Sequence, residues 1–213
     1  MSGAGATPGS PWSGRRRGRA KAFAGKREAV LSAAARLMAR QGYDGMSLSE
    51  LAELLNISKP TLYHYVGGKE QLFAEIVGRS QQATIDFMRD VVEQETSGFE
   101  KLRRILVGYI EMVNSDFGTC LIFSTTAELG AETRARIAAR AREANALIYG
   151  VIDAGEADGT LRVPDAAMVL HTLFGAANWT PNWFKPDGPL PLRAFAEMQA
   201  DILLGGVRGD DTR

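Results

Sequence analysis

The chain of 213 residues has a single cysteine, Cys120. One thiol cannot close a bridge within its own chain, so no disulfide framework organises the fold, and a reducing, cytoplasmic setting is expected. Cys120 fits either a small buried hydrophobe or a thiol that pairs between chains. Histidine is nearly as scarce: His64 and His171 lie far apart, and no cysteine or acidic cluster beside either completes a metal site. There is no nucleophile set beside a base and no phosphate-cradling glycine loop, so no enzyme class and no cofactor is indicated. No apolar run reaches the roughly 18 to 20 residues that cross a membrane, and Met1 to Ala24 lacks the apolar centre of a secretory leader. Strand-like alternation is sparse and no internal repeat is evident. What remains is a chain with 45% apolar residues, enough to build a core in one domain or two small ones.

Net charge is zero, yet unevenly spread. Residues 1–69 carry 11 Lys and Arg against 4 Asp and Glu, and the remainder 14 against 21. The chain thus has a basic end suited to phosphate and an acidic end. Arg15, Arg16, Arg17, Arg19, Lys21, Lys26 and Arg27 precede any acid. Behind Ser/Gly/Pro-rich residues 1–14, this run reads either as a disordered arm, through residue 21, that follows a DNA backbone or minor groove, or as a solvated tail.

Just after that basic stretch, Leu48 to Lys69 reads as two short helices joined by a tight turn. Ser47 with Glu50 three residues on makes a capping box at the first helix. Leu48, Leu51, Ala52 and Leu55 follow at the i, i+3, i+4, i+7 spacing of a buried stripe. Asn56, which accepts a left-handed backbone, stops that helix, and Ser58 caps the next. In the second helix Leu62 and Val66 face inward, leaving Lys59, Pro60, Thr61, Tyr63 and His64 outward, an arrangement suited to the major groove.

Over roughly Lys26 to Ile76 these residues resemble the tetracycline-repressor (TetR/AcrR) family of bacterial transcriptional regulators. The resemblance is carried by the stripe Val30, Leu31, Ala34, Leu37, Met38, the Gly42-Tyr43 stop, Met46-Ser47-Leu48, Leu51-Ala52, the run Ile57 to Val66, and Lys69-Glu70-Gln71-Leu72. Two departures are Asn56, where the family usually has glycine, and Gly67-Gly68, which loosen the start of the fourth helix. The resemblance implies that Thr61, Tyr63 and Lys69 hold phosphates while Lys59, Pro60, His64 and Tyr65 approach base edges, with Ser47 counted in the same DNA-facing set. Tyr65, three residues from Leu62, fits the core equally well.

Beyond Lys69 helices are expected near 69–95, 98–115, 119–129, 131–157, 164–184 and 191–206, separated by Gly- and Pro-containing breaks. The expected fold is all-α: a helix-turn-helix head over residues 22–69, a helical effector-binding and dimerisation body over 70–207, and a tail over 208–213. By resemblance the body pairs subunits into a homodimer, so that two heads read a palindromic double-stranded DNA operator. Val169, Leu173, Ala176 and Ala177 on one helix and Phe195, Met198, Ile202 and Leu203 on the next are the stripes expected at that interface, unless they are intrachain core. His171 is placed in or beside this bundle.

Candidate lining for a small apolar effector is Tyr109, Met112, Val113, Phe117, Ile122, Phe123, Ile148, Val151, Ile152, Phe174 and Asn178, although any one of these fits ordinary core. Gly175 to Leu190 is similar to the carboxy-terminal motif of a branch that includes repressors of fatty-acid and sterol degradation, many of them responsive to acyl-coenzyme A thioesters. In it, Trp179 and Trp183 shape either a pocket mouth or a packing corner. The expected function is a ligand-responsive repressor released by such an effector. The alternative is an architectural or adaptor DNA-binding protein without effector control.

Overall fold

A computed structural model describes residues 12–123 and 129–208, with the side chains of residues 12–22, Leu121 and Phe123 also outside the description. The reading of residues 1–11 as disordered and of 209–213 as tail falls outside the described residues. Where the sequence suggests a disordered arm through residue 21, the described backbone is helical from Trp12. Arginine, lysine and alanine are good helix formers and extend the helix behind them.

Helix α1 (Trp12–Gly45) bends at Gly42, whose φ of 74° and ψ of 172° end the straight part at the expected stop. Then come α2 (Leu48–Leu54), α3 (Lys59–Val66) and the long α4 (Lys69–Val92). The body adds α5 (Gly98–Val113), α6 (Asp116–Phe123), α7 (Ala131–Ala157), α8 (Ala166–Trp179) with a short 3-10 turn (Thr180–Asn182), and α9 (Leu192–Leu204). The fold is all-α.

Two apolar cores hold these elements. The head core gathers Leu31, Ala34 and Met38 of α1, Leu51 of α2, Leu62 and Val66 of α3, and Leu72, Phe73, Ile76 and Val77 of α4. It does not stop at Lys69, the boundary that the sequence suggests for the head. It runs along the first half of α4 and takes in Cys120 of α6 and Leu129, with Cys120 Sγ 3.7 Å from Met38 Sδ. The body core packs Met88 and Val91 of α4 against α5 (Leu102, Ile105, Leu106, Ile110), α7 (Ile148, Val151, Ile152), α8 and α9. Thus α4 enters both cores, and α6, though in the body, is anchored in the head.

The start of α6 differs from the sequence reading, which treats Asp116-Phe117-Gly118 as a break. The helix begins at Asp116 because Ser115 caps it, its hydroxyl accepting the Gly118 N–H at 3.1 Å. Gly118 is there for close approach: a Cβ on it would lie 2.0 Å from the Met112 carbonyl oxygen and 2.7 Å from Val113 Cα. The helix therefore crosses backbone to backbone over the end of α5.

The stripes expected at a subunit interface divide in two. Val169, Leu173, Ala177 and Phe195 are buried within the chain, so for these the intrachain alternative holds, because one face of α8 and α9 must cover α5. The other face leaves Met168, Met198 and Ile202 exposed at 67%, 54% and 73%.

Candidate DNA-reading surface and ligand cavity

The helix-turn-helix forms largely as its residues dictate. Ser47 Oγ accepts the Glu50 N–H at 3.0 Å, one half of the capping box. The reciprocal half is not made, since Glu50 Oε1 accepts instead from Gln41 Nε2 at 2.7 Å. Asn56 adopts φ 51°, and the Ile57 N–H reaches back to the Ala52 carbonyl at 3.0 Å, closing the turn. Ser58 caps α3, with its Oγ 2.8 Å from the Thr61 hydroxyl. Leu62 and Val66 are buried while Lys59, Pro60, Thr61, Tyr63 and His64 are exposed on one continuous surface, with Ser47 also exposed. Gly67 ends α3 at φ 71°, a conformation open to glycine, and its N–H returns to the Tyr63 carbonyl.

Two of the expected DNA-facing residues are partly committed elsewhere. Tyr65 is half-buried, its ring 4.9 Å from that of Phe23 of α1, while its carbonyl accepts from Arg27 Nε. Lys69 is also half-buried, donating from Nζ to the Asp44 carbonyl at 3.2 Å and lying 4.6 Å from the centre of the Tyr43 ring. Arg27, counted in the basic run, is spent on Glu75 of α4. Arg79 pairs with Glu28 at 2.5 Å and Glu75 at 2.8 Å, so four charges clamp α1 to α4.

In the body, a cavity of about 300 Å³ opens between α4, α5, α6, α7 and α8. Of the residues expected to line it, Tyr109, Met112 and Val113 (α5), Ile122 (α6), Ile148 (α7), and Phe174 and Asn178 (α8) do so. Phe117 instead packs against the head core, because α6 turns that side toward α1. Val151 and Ile152 belong to the body core, one helical turn past Ile148. Trp179 and Trp183 are exposed at 65% and 52%, and the Trp183 ring packs edge-on to Phe195 at 4.9 Å, a surface corner and not a wall of the cavity. Phe123 lies outside the described side chains.

Several lining residues are absent from the sequence reading: Ser80, Gln81, Thr84 and Met88 from α4, Gly118 from α6, Arg140, Ala144 and Asn145 from α7, and Leu170, His171 and Gly175 from α8. Most carry a readable signal. Along α4 the stripe Phe73, Ile76, Val77 is interrupted by Ser80, Gln81 and Thr84 before Met88 resumes it, and on α7 Arg140 falls between Ile137 and Ala144. Polar residues inside an apolar stripe mark a wall that does not meet another wall.

The cavity is mostly apolar with a few fixed polar groups. The Tyr109 hydroxyl donates to Asn178 Oδ1 at 2.7 Å, and its ring meets Phe174 edge-on at 4.9 Å. Burial pushes the Tyr109 hydroxyl up to about 12, opposed in part by the Asn178 hydrogen bond, so it is a neutral donor at physiological pH. Thr84 donates to the Ser80 carbonyl at 2.9 Å, and Gln81 Nε2 to the Ile137 carbonyl at 3.1 Å, which ties α4 to α7.

Head and body meet again at the start of α7. Glu70, in the first turn of α4, accepts on Oε1 from the Thr133 hydroxyl at 2.7 Å and the Gly130 N–H at 2.9 Å, at the start of α7. These two bonds hold its carboxyl below the usual range.

A helix-turn-helix with an exposed polar reading face, joined through shared helices to a body that encloses an apolar cavity, defines a ligand-responsive DNA-binding transcriptional regulator. Residues 30–76 match the bacterial regulatory proteins, tetR family, and residues 95–207 match the tetracyclin repressor-like C-terminal domain. The chain belongs to the TetR family. It is 22% identical over 187 residues to the HTH-type transcriptional repressor KstR2 of Mycolicibacterium smegmatis, covering 86% of this chain and 91% of that one. It is 24% identical over 200 residues to the transcriptional activator FasR of the same organism, covering 92% and 90%. Among solved structures, AibR in complex with isovaleryl coenzyme A and operator DNA superposes with a TM-score of 0.73 at 28% identity, over 83% of this chain and 96% of that one.

Proposed function

We propose that the protein is a cytoplasmic repressor that binds a palindromic operator as a homodimer and is released by an apolar acyl effector, an acyl-coenzyme A thioester or a related carboxylic compound. One observation carries the ligand control. Helix α6 lines the cavity with Gly118 and Ile122 while its opposite side, Cys120 with Phe117, is packed in or against the head core. A ligand that moves α6 therefore moves the ground on which α1 and α4 rest. Two heads read half-sites about 34 to 36 Å apart, so a small change in their angle is enough to lose the fit. The ligand acts by preferring one of two conformations, with coupling of about 1 to 3 kcal/mol typical.

The acyl part of the reading is supported by the apolar walls, by the half-buried Tyr109–Asn178 pair, which leaves the Asn178 amide N–H to donate to a carbonyl, and by likeness to AibR, whose complex holds isovaleryl coenzyme A. No helix of the described residues is long and apolar enough to cross a membrane, in keeping with a regulator that reaches DNA. The test is selection and sequencing of genomic fragments retained by the purified protein near physiological salt. An inverted repeat, released on adding acyl-coenzyme A compounds and derepressed in a reporter, is the expected result. Retention without a shared sequence would point to an architectural protein instead. Calorimetry showing no heat with short, long or steroid-derived acyl-coenzyme A compounds would remove the effector assignment.

A further inference from the structure

The cavity has a doorway with a charge beside it. Arg140 of α7 lines the 300 Å³ cavity and also an outer furrow of about 470 Å³ between α4 and α7, so both spaces border this one side chain. The furrow is otherwise formed by Gln71, Ala74, Glu75, Gly78, Arg79 and Gln82 of α4 and by Arg136 of α7. The guanidinium lies against α4 at Gly78, where a Cβ would stand 3.4 Å from Arg140 Nη1, an ordinary van der Waals contact.

Of the other charges in the furrow, Glu75 and Arg79 are already matched, while Arg136 makes only a loose, exposed pair. Glu75 is held by Arg27 and Arg79, Arg79 is shared with Glu28, and Arg136 lies 3.6 Å from Glu132. Arg140 is half-buried, and among the described residues no carboxylate lies within ion-pairing distance of it. A partly desolvated cation beside an apolar chamber gains more from an anion than an exposed one does, because less of its charge is already screened by water.

Size points the same way. About 300 Å³ lies at the lower end for ligand pockets, room for the apolar body of an effector and not for a bulky polar head as well. The geometry points to a split site: the apolar body of the effector in the cavity, and its anionic head held by Arg140 at the α4–α7 doorway, with Arg136 further along the furrow. The ligand class is an apolar chain bearing an anionic head, whether the phosphates of a coenzyme A thioester or a free carboxylate. This inference rests on the reading of the cavity as the effector site.

The experiment compares three octanoyl probes by calorimetry on the full chain: octanoyl-coenzyme A, octanoate, and the uncharged octanoyl thioester of N-acetylcysteamine. The wild type is expected to bind the charged probes more tightly than the neutral one. Arg140→Gln is expected to lose about tenfold or more for the charged probe that uses the doorway, closing its advantage over the neutral thioester. Arg136→Gln should weaken octanoyl-coenzyme A alone, which separates the phosphate head from the carboxylate. Both positions are at least partly exposed, and unchanged far-ultraviolet dichroism verifies that each variant is folded. Equal wild-type affinity for charged and neutral probes, or a charged-probe advantage that survives Arg140→Gln, would overturn the split site while leaving an acyl effector intact. No binding of any of the three by the wild type would remove the acyl reading and the split site together.

Discussion

The hydroxyl of Tyr109 lies in an apolar wall with one acceptor, Asn178 Oδ1, and burial raises its titration from 10.0 to about 12. Folding thus favours the protonated form. The contribution is complete below the unfolded value near 10 and is lost as pH climbs through about 12, each tenfold difference in proton affinity between the folded and unfolded chain being worth about 1.4 kcal/mol. Urea midpoints of the wild type should fall across that window, and less so in Tyr109→Phe. At neutral pH the same variant should be less stable by about 0.5 to 1.5 kcal/mol, the net value of one hydrogen bond, since Asn178 is half-buried. Thr61 offers a different test. Its hydroxyl meets Ser58 Oγ at 2.8 Å on the exposed face of α3, so Thr61→Ala should weaken operator binding several-fold with little change in base preference, consistent with a phosphate contact. Competition binding across single-base operator variants checks this, and a relaxed preference at full affinity would contradict it. Residues of this kind are legible in the sequence where function imposes a chemical type, as at Ser58 and Asn56. Val151 and Ile152 are not, because an apolar residue on a helix looks the same whether it meets a cavity or another side chain. Arg140 escapes an expectation framed around apolar walls, although a cation within an apolar stripe is there to be seen.

Among the elements, α7 and α9 lie within about two residues of where the breaks at Gly130, Asp158-Gly159 and the Pro186–Pro191 loop put them. One misread element is α6, and the reason is local. Asp-Phe-Gly is turn-like by composition, but Ser115 caps it and the glycine is required by contact with the backbone of α5, a tertiary demand that no local pattern reports. That helix and α4 are shared between head and body, and so is α7, whose Ile137 packs against the head core and whose Ile148 lies in the body core. Glu70 adds a polar tie by accepting from Gly130 and Thr133 at the start of α7, the same helix that presents Arg140 to the cavity. Its carboxyl titrates below the ordinary value, so this tie is present above the unfolded value and is lost as pH falls through the folded one. Glu70→Ala should therefore leave the reading helix in place and operator affinity within a few-fold of wild type, while the effector loses much of its power to release DNA. Fluorescence anisotropy of a labelled operator, titrated with and without effector, measures both quantities. Full release by effector in the variant would show that the shared helices carry the coupling unaided.

At the scale of the whole molecule, charge is divided unevenly along the sequence, and the body exposes apolar side chains of its own. The basic excess lies in residues 1–69, which hold the reading helix, whereas Met168, Met198 and Ile202 stand exposed on α8 and α9. Met198 and Ile202 are four residues apart on α9, and Met168 leads an exposed face that continues through Thr172 and Gly175 on α8. Large apolar side chains exposed on two helices that both pack on α5 mark a candidate interaction surface. A second copy docked on the same face would make a four-helix contact with twofold symmetry, the symmetry that an inverted-repeat operator requires. The inner residues of the same helices, Val169, Leu173 and Phe195, fill the body core. Changes there should unfold the chain, and changes outside should separate copies. Ile202→Glu places a charge at a position 73% exposed in the single chain. It should keep its helical dichroism and thermal transition as a monomer, run at half the mass in light scattering, and bind a full operator no better than a half-site. Since each head contributes its own phosphate contacts, losing one should also lower the slope of log affinity against log salt by roughly half. A variant that stays dimeric with an unchanged salt slope would place the subunit contact on another face.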